Sequence, residues 1–280
     1  MNNVKTAGLL AFMSVLLILV VQTLGGSWGI AIAFVVGFNF LAYFFSDRMA
    51  IAATRAKPVT EAELPRVYEI VRRLTEQTRM PMPRIYLIDS SQPNAFATGR
   101  SPKKAAVAVT RGILEILTVD ELEGVLGHEL AHVRNHDILI SSVAAMIAAA
   151  LTMLARMTFF FGRGRDNPIG AVGALLALII APIVAMLIRF AISRTREFQA
   201  DKSGADITGR PLQLASALEK ISAGTSRIPM NVNPATSQLF IDNPLKTVRG
   251  RGGMRWFSSH PPAEERIKRL TDMAQGISRS

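Results

Sequence analysis

The 280-residue chain contains no cysteine. Disulfide bridges and thiolate metal ligands are therefore excluded, so any metal ion must be held by histidine and carboxylate side chains. Histidine is also scarce, because the chain has only four, and three of them fall between positions 128 and 136. This concentration indicates that residues 128–136 carry the chemistry of the protein.

Charged residues are almost absent from four long apolar runs, at residues 7–24, 28–45, 138–161 and 169–190. At about 1.5 Å per residue, each of the first two runs reaches about 27 Å as a helix, close to the thickness of a bilayer core. Only residues 25–27 separate these two runs, which predicts a tight hairpin and argues against a cleaved signal peptide. The third and fourth runs also predict spans, although helices buried in a protein core can be equally apolar.

The net charge of +11 fits two kinds of partner. A nucleic-acid binder would place basic residues on one face beside base-stacking aromatic residues. We favour membrane topology and anionic lipid instead, because most Lys and Arg residues lie in segments 46–137 and 189–280, outside the apolar runs. Four spans place both segments on one side of the bilayer, and an excess of Lys and Arg marks the cytoplasmic side. We therefore expect the lipid bilayer, and no nucleic acid, as a partner.

The hydrophilic segments predict a small α+β domain. Alternating or β-branched stretches favour three strands, at residues 84–89, 93–99 and 105–110. Residues 60–63 have the form of a capping box and predict a helix through about residue 77. A second capping box at residues 118–121 predicts a helix that runs past His136 into the third apolar run.

His128 and His132 are four residues apart on this second predicted helix, so their side chains lie on one face about one turn apart. Both imidazoles can then reach one zinc ion at about 2.0–2.1 Å. Glu129 is rotated by about 100° from His128, and it can accept a proton from a water molecule at the metal without being a ligand. His136 lies about 12 Å from His128 along a straight helix, which is too far for it to share the same ion.

The third ligand has to come from elsewhere in the chain. Glu197 and Asp201 are four residues apart on a predicted helix that follows the fourth apolar run. Glu197 can complete a site of two histidines and one glutamate with an open position for water, and Asp201 can accept a hydrogen bond from a ligand imidazole. Spacing alone leaves an ordinary pair of helical acids beside Arg194 and Arg196 equally open.

Four separated segments resemble the HtpX family of bacterial membrane metalloproteases, which is related to the CAAX prenyl endopeptidases. They are residues 94–97 (NAFA), 127–137 (GHELAHVRNHD), 196–201 (REFQAD) and 258–262 (SSHPP). The resemblance covers essentially the whole chain and implies one zinc ion bound by His128, His132 and Glu197, with Glu129 as the general base. It also implies hydrolysis of peptide bonds in damaged or misfolded proteins of the bacterial inner membrane, as part of quality control and the stress response.

The expected fold is therefore a mainly α-helical membrane protein with four transmembrane helices and a cytoplasmic, zincin-like α+β domain that carries a small β-sheet. Residues 1–46 are expected to form the first transmembrane hairpin and residues 138–190 the second. Residues 47–137 and 191–280 supply the two parts of the catalytic domain. The first part contributes the sheet and the HExxH helix, and the second contributes Glu197, a long loop and a final helix.

Two further residues have two interpretations each. Asn94 lies on a predicted edge strand, where it could orient a peptide that is added as a further strand, or it is a turn residue after Pro93. His260 is the only histidine away from the helix. It could donate a hydrogen bond to the oxyanion that forms during peptide hydrolysis, or it could pack at the start of a helix. Asn94 and His260 are both candidate catalytic residues.

Two other classes of protein fit the sequence less well. A transporter would carry ionisable groups deep in several spans, and these apolar runs carry almost none. A membrane scaffold with a structural zinc site would close all four metal positions with protein ligands, and no fourth ligand is evident. A zinc-dependent endopeptidase that acts on polypeptide substrates is therefore the function that the sequence predicts.

Overall fold

The computed structural model describes residues 2–23, 26–148, 194–230, 232, 236–245 and 261–276. Four of the sequence predictions fall wholly or partly on the remaining positions. The fourth apolar run, most of the third, much of the predicted long loop and His260 lie outside the described residues.

Three apolar helices pack against one another: α1 (Asn2–Thr23), α2 (Trp28–Ala53) and α6 (Asp137–Ala148). They share a buried cluster that includes Leu9 of α1, Ala42 of α2 and Ile140 of α6. Asn39 of α2 donates a hydrogen bond to the Ser14 hydroxyl of α1 at 2.8 Å. The first two apolar runs therefore form the predicted helical hairpin, and the third run begins as a helix beside it.

Helix α2 has 26 residues and is long and apolar enough to cross a membrane. Among the described residues it alone meets that test, while the stretches Thr6–Leu19 and Asp137–Ala148 are shorter apolar helices. Most of its apolar side chains face outward, for instance Phe34 at 60% exposure, whereas a core helix of a soluble domain would bury them. One helix of the predicted first hairpin is therefore long and apolar enough to cross a membrane, and four transmembrane helices stay a prediction.

The β-sheet has four strands: β1 (Lys57–Pro58), β2 (Arg84–Ile88), β3 (Ala95–Thr98) and β4 (Ala106–Thr110). Their spatial order is β1-β2-β4-β3, with β2 and β4 parallel and the two outer pairs antiparallel. All five residues of β4 are buried, which explains its unbroken run of small apolar side chains. The small sheet that the sequence predicts is confirmed, with one added short strand, and β3 lies at its edge.

The remaining helices that the structure describes are α3 (Pro65–Thr78), α4 (Arg111–Ile116), α5 (Val119–Arg134), α7 (Arg194–Thr208), α8 (Pro211–Arg227) and α9 (Ala263–Ala274). Helices α3, α7 and α8 pack against α5, which itself lies against β3. Helix α5 lies at the centre, since its residues Val125 and Leu126 are fully buried in the main core. Burial of each such side chain contributes about 1.5–3 kcal/mol to the free energy of folding. The helix that carries His128 and His132 is therefore held from several sides.

Two helix boundaries differ from the sequence prediction. Glu63 does accept a hydrogen bond from the Thr60 backbone at 2.6 Å, but the helix begins only at Pro65. Proline suits the first helical position and disfavours helical geometry in the residue before it, so the capping box closes a turn instead.

The second difference lies after the HExxH helix. The capping box at Thr118 and Glu121 is present, as the sequence predicts, but the helix ends at Arg134 and does not run past His136. His136 has a φ of 59°, in the left-handed region that terminates helices. Helix α6 then starts at Asp137, and this break returns the Asp137 side chain to the HExxH helix.

Helix α5 is anchored at its start by Glu121, whose carboxylate accepts hydrogen bonds from Ser216 at 2.7 Å and Lys220 at 2.8 Å on α8. Burial alone would raise the pKa of Glu121, but Lys220, Ser216 and the Thr118 cap outweigh it and lower that pKa to about 2. A lowered pKa in the folded state stabilises the protein above the ordinary value of 4.5, and this contribution disappears as the pH falls from 4.5 towards 2.

We therefore predict that Glu121→Gln lowers the unfolding free energy at pH 7 by about 1–3 kcal/mol, because a buried charged hydrogen-bond partner is lost. The difference from the wild type should shrink below pH 4.5. Thermal unfolding of the detergent-solubilised full chain at several pH values measures it, with the exposed Glu219→Gln as the control. A difference that stays constant across the pH range would contradict this account of Glu121.

Candidate metal centre

The two histidines of α5 point their Nε2 atoms at each other. These atoms are 3.2 Å apart, and the two rings stand perpendicular with centroids separated by 4.7 Å. His128 is fully buried, while His132 keeps a side-chain exposure of 15%. The spacing of four residues therefore brings both imidazoles to one point, as the sequence predicts, and leaves that point accessible from one side.

Glu197 reaches the same point from the first turn of α7. Its Oε1 lies 3.5 Å from the Nε2 of His132, and its Oε2 lies 3.9 Å from the Nε2 of His128. One ligand atom from each of the three residues lies within 4.8 Å of the others. In a tetrahedral site with bonds of about 2.0–2.1 Å, ligand atoms are about 3.4 Å apart, so these separations suit a single small cation.

Two glycines allow α5 and α7 to approach this closely. A Cβ atom on Gly204 would lie 2.7 Å from the backbone nitrogen of His128, and one on Gly127 would lie 2.6 Å from the side chain of Thr208. Any side chain at these positions would push the helices apart. Glycine at both places therefore sets the distance between the histidine helix and Glu197.

Two aspartates determine which nitrogen of each ring carries hydrogen. Asp201 lies 2.9 Å from the Nδ1 of His128, and Asp137 lies 3.1 Å from the Nδ1 of His132. Since a carboxylate only accepts hydrogen bonds, each Nδ1 is the donor and each Nε2 presents a lone pair. Two lone pairs that face each other at 3.2 Å repel unless a cation lies between them. The donor set thus fits a bound metal ion.

The local charge favours a cation as well. Burial alone lowers the pKa of His132, but the surrounding carboxylates, Glu197 foremost, outweigh it and raise that pKa to about 9. The side chains alone therefore attract a positive charge to this position. A divalent ion can supply that charge in place of a proton, which is why metal binding to such a site releases protons.

Glu129 lies beside the two histidines, and its side chain is also buried. The backbone of Ala97 in β3, the edge strand, is among the groups that act on this carboxylate, and it lowers the pKa of Glu129. Burial raises the pKa of Glu129 above its usual value, which makes the carboxylate a better proton acceptor near neutral pH. Glu129 is therefore placed to move protons next to the cation position.

Arg266 of α9 is a site residue that the sequence analysis missed. It is the largest fully buried side chain, and it binds Asp201 with two hydrogen bonds, from Nε at 2.8 Å and from Nη2 at 2.6 Å. Burial alone raises the pKa of Asp201, but Arg266 and His128 outweigh it and lower that pKa to about 2. Asp201 therefore stays charged and holds the His128 ring.

The amphipathic pattern of α9 contained a signal for this residue. Arg266 shares a helix face with Leu270 and Met273, which pack on the main core. A basic residue on an apolar face requires an internal partner, although the pattern cannot tell which acid provides it. Asp137 was missed for another reason, since its position depends on the helix break at His136.

Asn94 and His136 both lie outside the group of three possible metal ligands. Asn94 is fully buried, and its side chain donates to the Asp242 carbonyl at 2.9 Å and accepts from the Asp242 backbone at 3.3 Å. Its amide is therefore engaged within the protein and contacts a peptide only if Asp242 moves. His136 is exposed, in agreement with its exclusion as a ligand.

A buried HExxH helix joined by a carboxylate from another helix defines a metal-dependent peptidase. The comparisons with known proteins agree. Residues 61–274 match the model of peptidase family M48, and the chain belongs to this family. Two curated relatives are both named "Protease HtpX homolog", one from Pelotomaculum thermopropionicum and one from Thermodesulfovibrio yellowstonii.

The first relative is 49% identical and matches 98% of this chain and all of its own length. The second is 50% identical over 98% of this chain and 99% of the relative. The resemblance to the HtpX family is thus confirmed, and the chain is a metalloprotease of that type. The crystal structure of Ste24p from S. mikatae superposes with a TM-score of 0.50 at 19% identity, over 94% of this chain and 62% of that one. That similarity concerns the fold alone.

We predict that Arg266→Lys weakens metal binding by about 10–100-fold, because a single ammonium cannot replace the two-pronged contact that positions Asp201. Competition of the full-length protein with a chromophoric chelator measures this affinity directly. Lys268→Arg, on the exposed face of the same helix, is the matched control and should leave the affinity unchanged. If the folded wild type and the folded Arg266→Lys variant bound metal with equal affinity, Arg266 would have no role in positioning the metal ligands.

Proposed function

We propose that this metalloprotease is a zinc-dependent endopeptidase with one zinc ion per chain, held by His128, His132 and Glu197. The observation that carries this proposal is the convergence of two imidazole lone pairs and one carboxylate within 4.8 Å. Zinc suits a set of nitrogen and oxygen donors without thiolate, and three protein ligands leave one position open, as catalytic zinc sites require. When bound, the ion would polarise the scissile carbonyl and lower the pKa of water.

The protein's own residues perform the proton transfers of peptide hydrolysis. Glu129 accepts a proton from the attacking water as the oxygen bonds to the carbonyl carbon, and it delivers that proton to the amine as the C–N bond breaks. The backbone of Ala97 lowers the pKa of this carboxylate and so favours its charged form. Asp201 and Asp137 keep hydrogen on the Nδ1 atoms, so both imidazoles remain oriented as neutral ligands.

The edge strand β3 provides a place for a polypeptide substrate. Peptides bind to many proteins by adding a strand to an open sheet edge, and this edge strand packs against α5, the helix that carries Glu129. At present the backbone N–H of Ile241 donates to the Ala95 carbonyl at 2.9 Å. A substrate that replaced this contact would also release Asn94 from Asp242, and Asn94 could then orient the peptide. His260 is proposed to donate a hydrogen bond to the oxyanion.

We further propose that the substrates are damaged or misfolded membrane proteins, and that the protease serves quality control and the stress response. The support for this proposal is the position of the HExxH helix relative to the apolar helices. The HExxH helix is followed within two residues by the apolar helix α6, which packs against α1 and α2. The metal centre is therefore close to the apolar helices, where unfolded segments of membrane proteins would emerge.

We also propose that the protein lies in the bacterial inner membrane, with four spans and a catalytic domain that faces the cytoplasm. The apolar helices beside the metal centre support a membrane location. The clustering of Lys and Arg in segments 46–137 and 189–280 supports this orientation, because basic residues concentrate on the cytoplasmic side.

The topology can be measured with reporter fusions. A reporter enzyme that is active only in the periplasm should be silent when fused after Lys57, and active when inserted near Asp166. The reverse pattern would overturn the cytoplasmic assignment without affecting the assignment of the metal centre.

The catalytic assignment predicts that Glu129→Gln retains metal but loses turnover by a factor of about 10²–10⁴, since the amide cannot accept the proton. Cleavage of an unfolded protein such as casein by the detergent-solubilised chain measures turnover, with metal content measured on the same sample. Glu115→Gln, on the short helix α4, serves as the matched control. Casein cleavage at the wild-type rate by Glu129→Gln would show that another group transfers the proton.

A further inference from the structure

A cavity of about 330 Å³ lies where helix α2 meets the β-sheet, and none of the metal-centre residues lines it. Its walls come from three places in the chain: the second half of α2, the start of β2, and the connection between β3 and β4. The part of that connection in the cavity wall includes the short 3₁₀ helix Pro102–Lys104. The proposed hydrolysis leaves this cavity without a role.

The lining of the cavity is strongly basic. It contains five basic residues, Arg48, Arg84, Arg100, Lys103 and Lys104, and a single acid, Asp47. That acid already binds Arg84, with its Oδ2 at 3.0 Å from Nη2. Within the part of the chain that the structure describes, no carboxylate pairs with the other four basic side chains. Four positive charges thus converge on one cavity without an internal counter-ion.

Part of the cavity lining is aromatic. Phe40 and Phe44 of α2 line it and remain 53% and 41% exposed. The guanidinium of Arg100 lies over the Phe44 ring at 4.9 Å, and that of Arg48 lies over the Phe45 ring at 5.4 Å. These cation–π contacts hold the two arginines at the cavity. The cavity therefore joins an apolar wall to an anion-binding wall.

Its position on α2 matches the boundary between a bilayer core and its headgroups. Residues 28–45 of α2 are apolar, and the first charged residues of the helix, Asp47 and Arg48, follow directly. An anion of purely aqueous origin would leave Phe40 and Phe44 uncovered. A ligand with both a phosphate and acyl chains would pair the basic wall and cover the aromatic wall at the same time.

We propose that this cavity binds the headgroup of one anionic phospholipid, with its phosphate among Arg48, Arg100, Lys103 and Lys104 and its acyl chains along Phe40 and Phe44. The inference rests on the membrane location in the proposed function, but it does not depend on the peptidase chemistry. A lipid bound here contacts α2, β2 and the β3–β4 connection together. It therefore fixes the sheet, and with it the edge strand β3, relative to the membrane surface.

The test uses the full-length protein in a neutral detergent and measures binding of short-chain phosphatidylglycerol by native mass spectrometry and by the shift in melting temperature. Short-chain phosphatidylcholine and glycerol phosphate are the comparison ligands. We expect phosphatidylglycerol to bind and to raise the melting temperature, and the other two to bind at least about tenfold more weakly, because one lacks net charge and the other lacks chains.

The variant Arg100→Gln with Lys104→Gln should lower the affinity for phosphatidylglycerol by about tenfold or more. The control, Arg66→Gln with Lys268→Gln, removes the same charge from exposed positions outside the cavity and should bind like the wild type. Both variants should melt within a few degrees of the wild type without lipid, since the four side chains make no buried hydrogen bonds.

Three outcomes would overturn the proposal. Equal binding of phosphatidylglycerol and phosphatidylcholine would exclude recognition of the charge, and equal binding of glycerol phosphate would identify a site for soluble phosphate. If the test and control variants lost binding equally, binding would depend on general surface charge and not on the cavity. A wild-type protein that stays monodisperse without detergent would instead overturn the membrane location on which the proposal rests. The peptidase assignment is tested separately, by the cleavage of casein.

Discussion

The architecture depends on one electrostatic constraint: two imidazole lone pairs and a carboxylate meet in the protein interior, and only a cation can keep them together. The Nε2 atoms of His128 and His132 are 3.2 Å apart, and the adjacent aspartates hold hydrogen on the opposite ring nitrogens. Without a positive charge between them this arrangement is repulsive. Because α5 and α7 both contribute to it, a bound ion would also connect these two helices, which lie far apart in the sequence.

The surrounding structure maintains this convergence by three separate means. Gly127 and Gly204 allow the two helices to approach. Arg266 connects α9 to Asp201 and through it to His128, so that three helices share one chain of charged hydrogen bonds. The helix break at His136 returns Asp137 to His132. Each element restrains a different degree of freedom, namely the distance between helices, the orientation of one ring and the orientation of the other.

The residues that follow helical periodicity were predictable from the sequence. His128, Glu129 and His132 follow from their spacing on one helix. The structure brings Glu197 to the Nε2 atoms of both histidines and Asp201 to the Nδ1 of His128. The pattern of α9 marks Arg266 as a basic residue on an apolar face but cannot identify Asp201 as its partner, because that contact joins distant elements. The contact of Asp137 depends on a break in a helix, which the pattern does not predict. The helix start at Pro65 illustrates a further limit, since a capping box can close a turn as well as a helix.

The contacts of Asn94 could not be predicted for the same reason. Its sequence position indicates an edge strand, but its buried contacts with Asp242, 148 residues away along the chain, depend on tertiary structure. Segment 241–242 lies beside β3. In the mode of substrate binding proposed above, a peptide would displace these backbone contacts before it extended the sheet next to Glu129.

The most direct test of the central constraint is the metal content of the full-length protein, purified in detergent and analysed by inductively coupled plasma mass spectrometry. The account predicts about one zinc ion per wild-type chain, a large loss in Glu197→Gln, and wild-type content in the exposed control Glu264→Gln. Removal of the ion with a chelator should stop proteolysis, and added zinc should restore it. A folded, metal-free wild-type protein that still cleaves polypeptides would contradict the account.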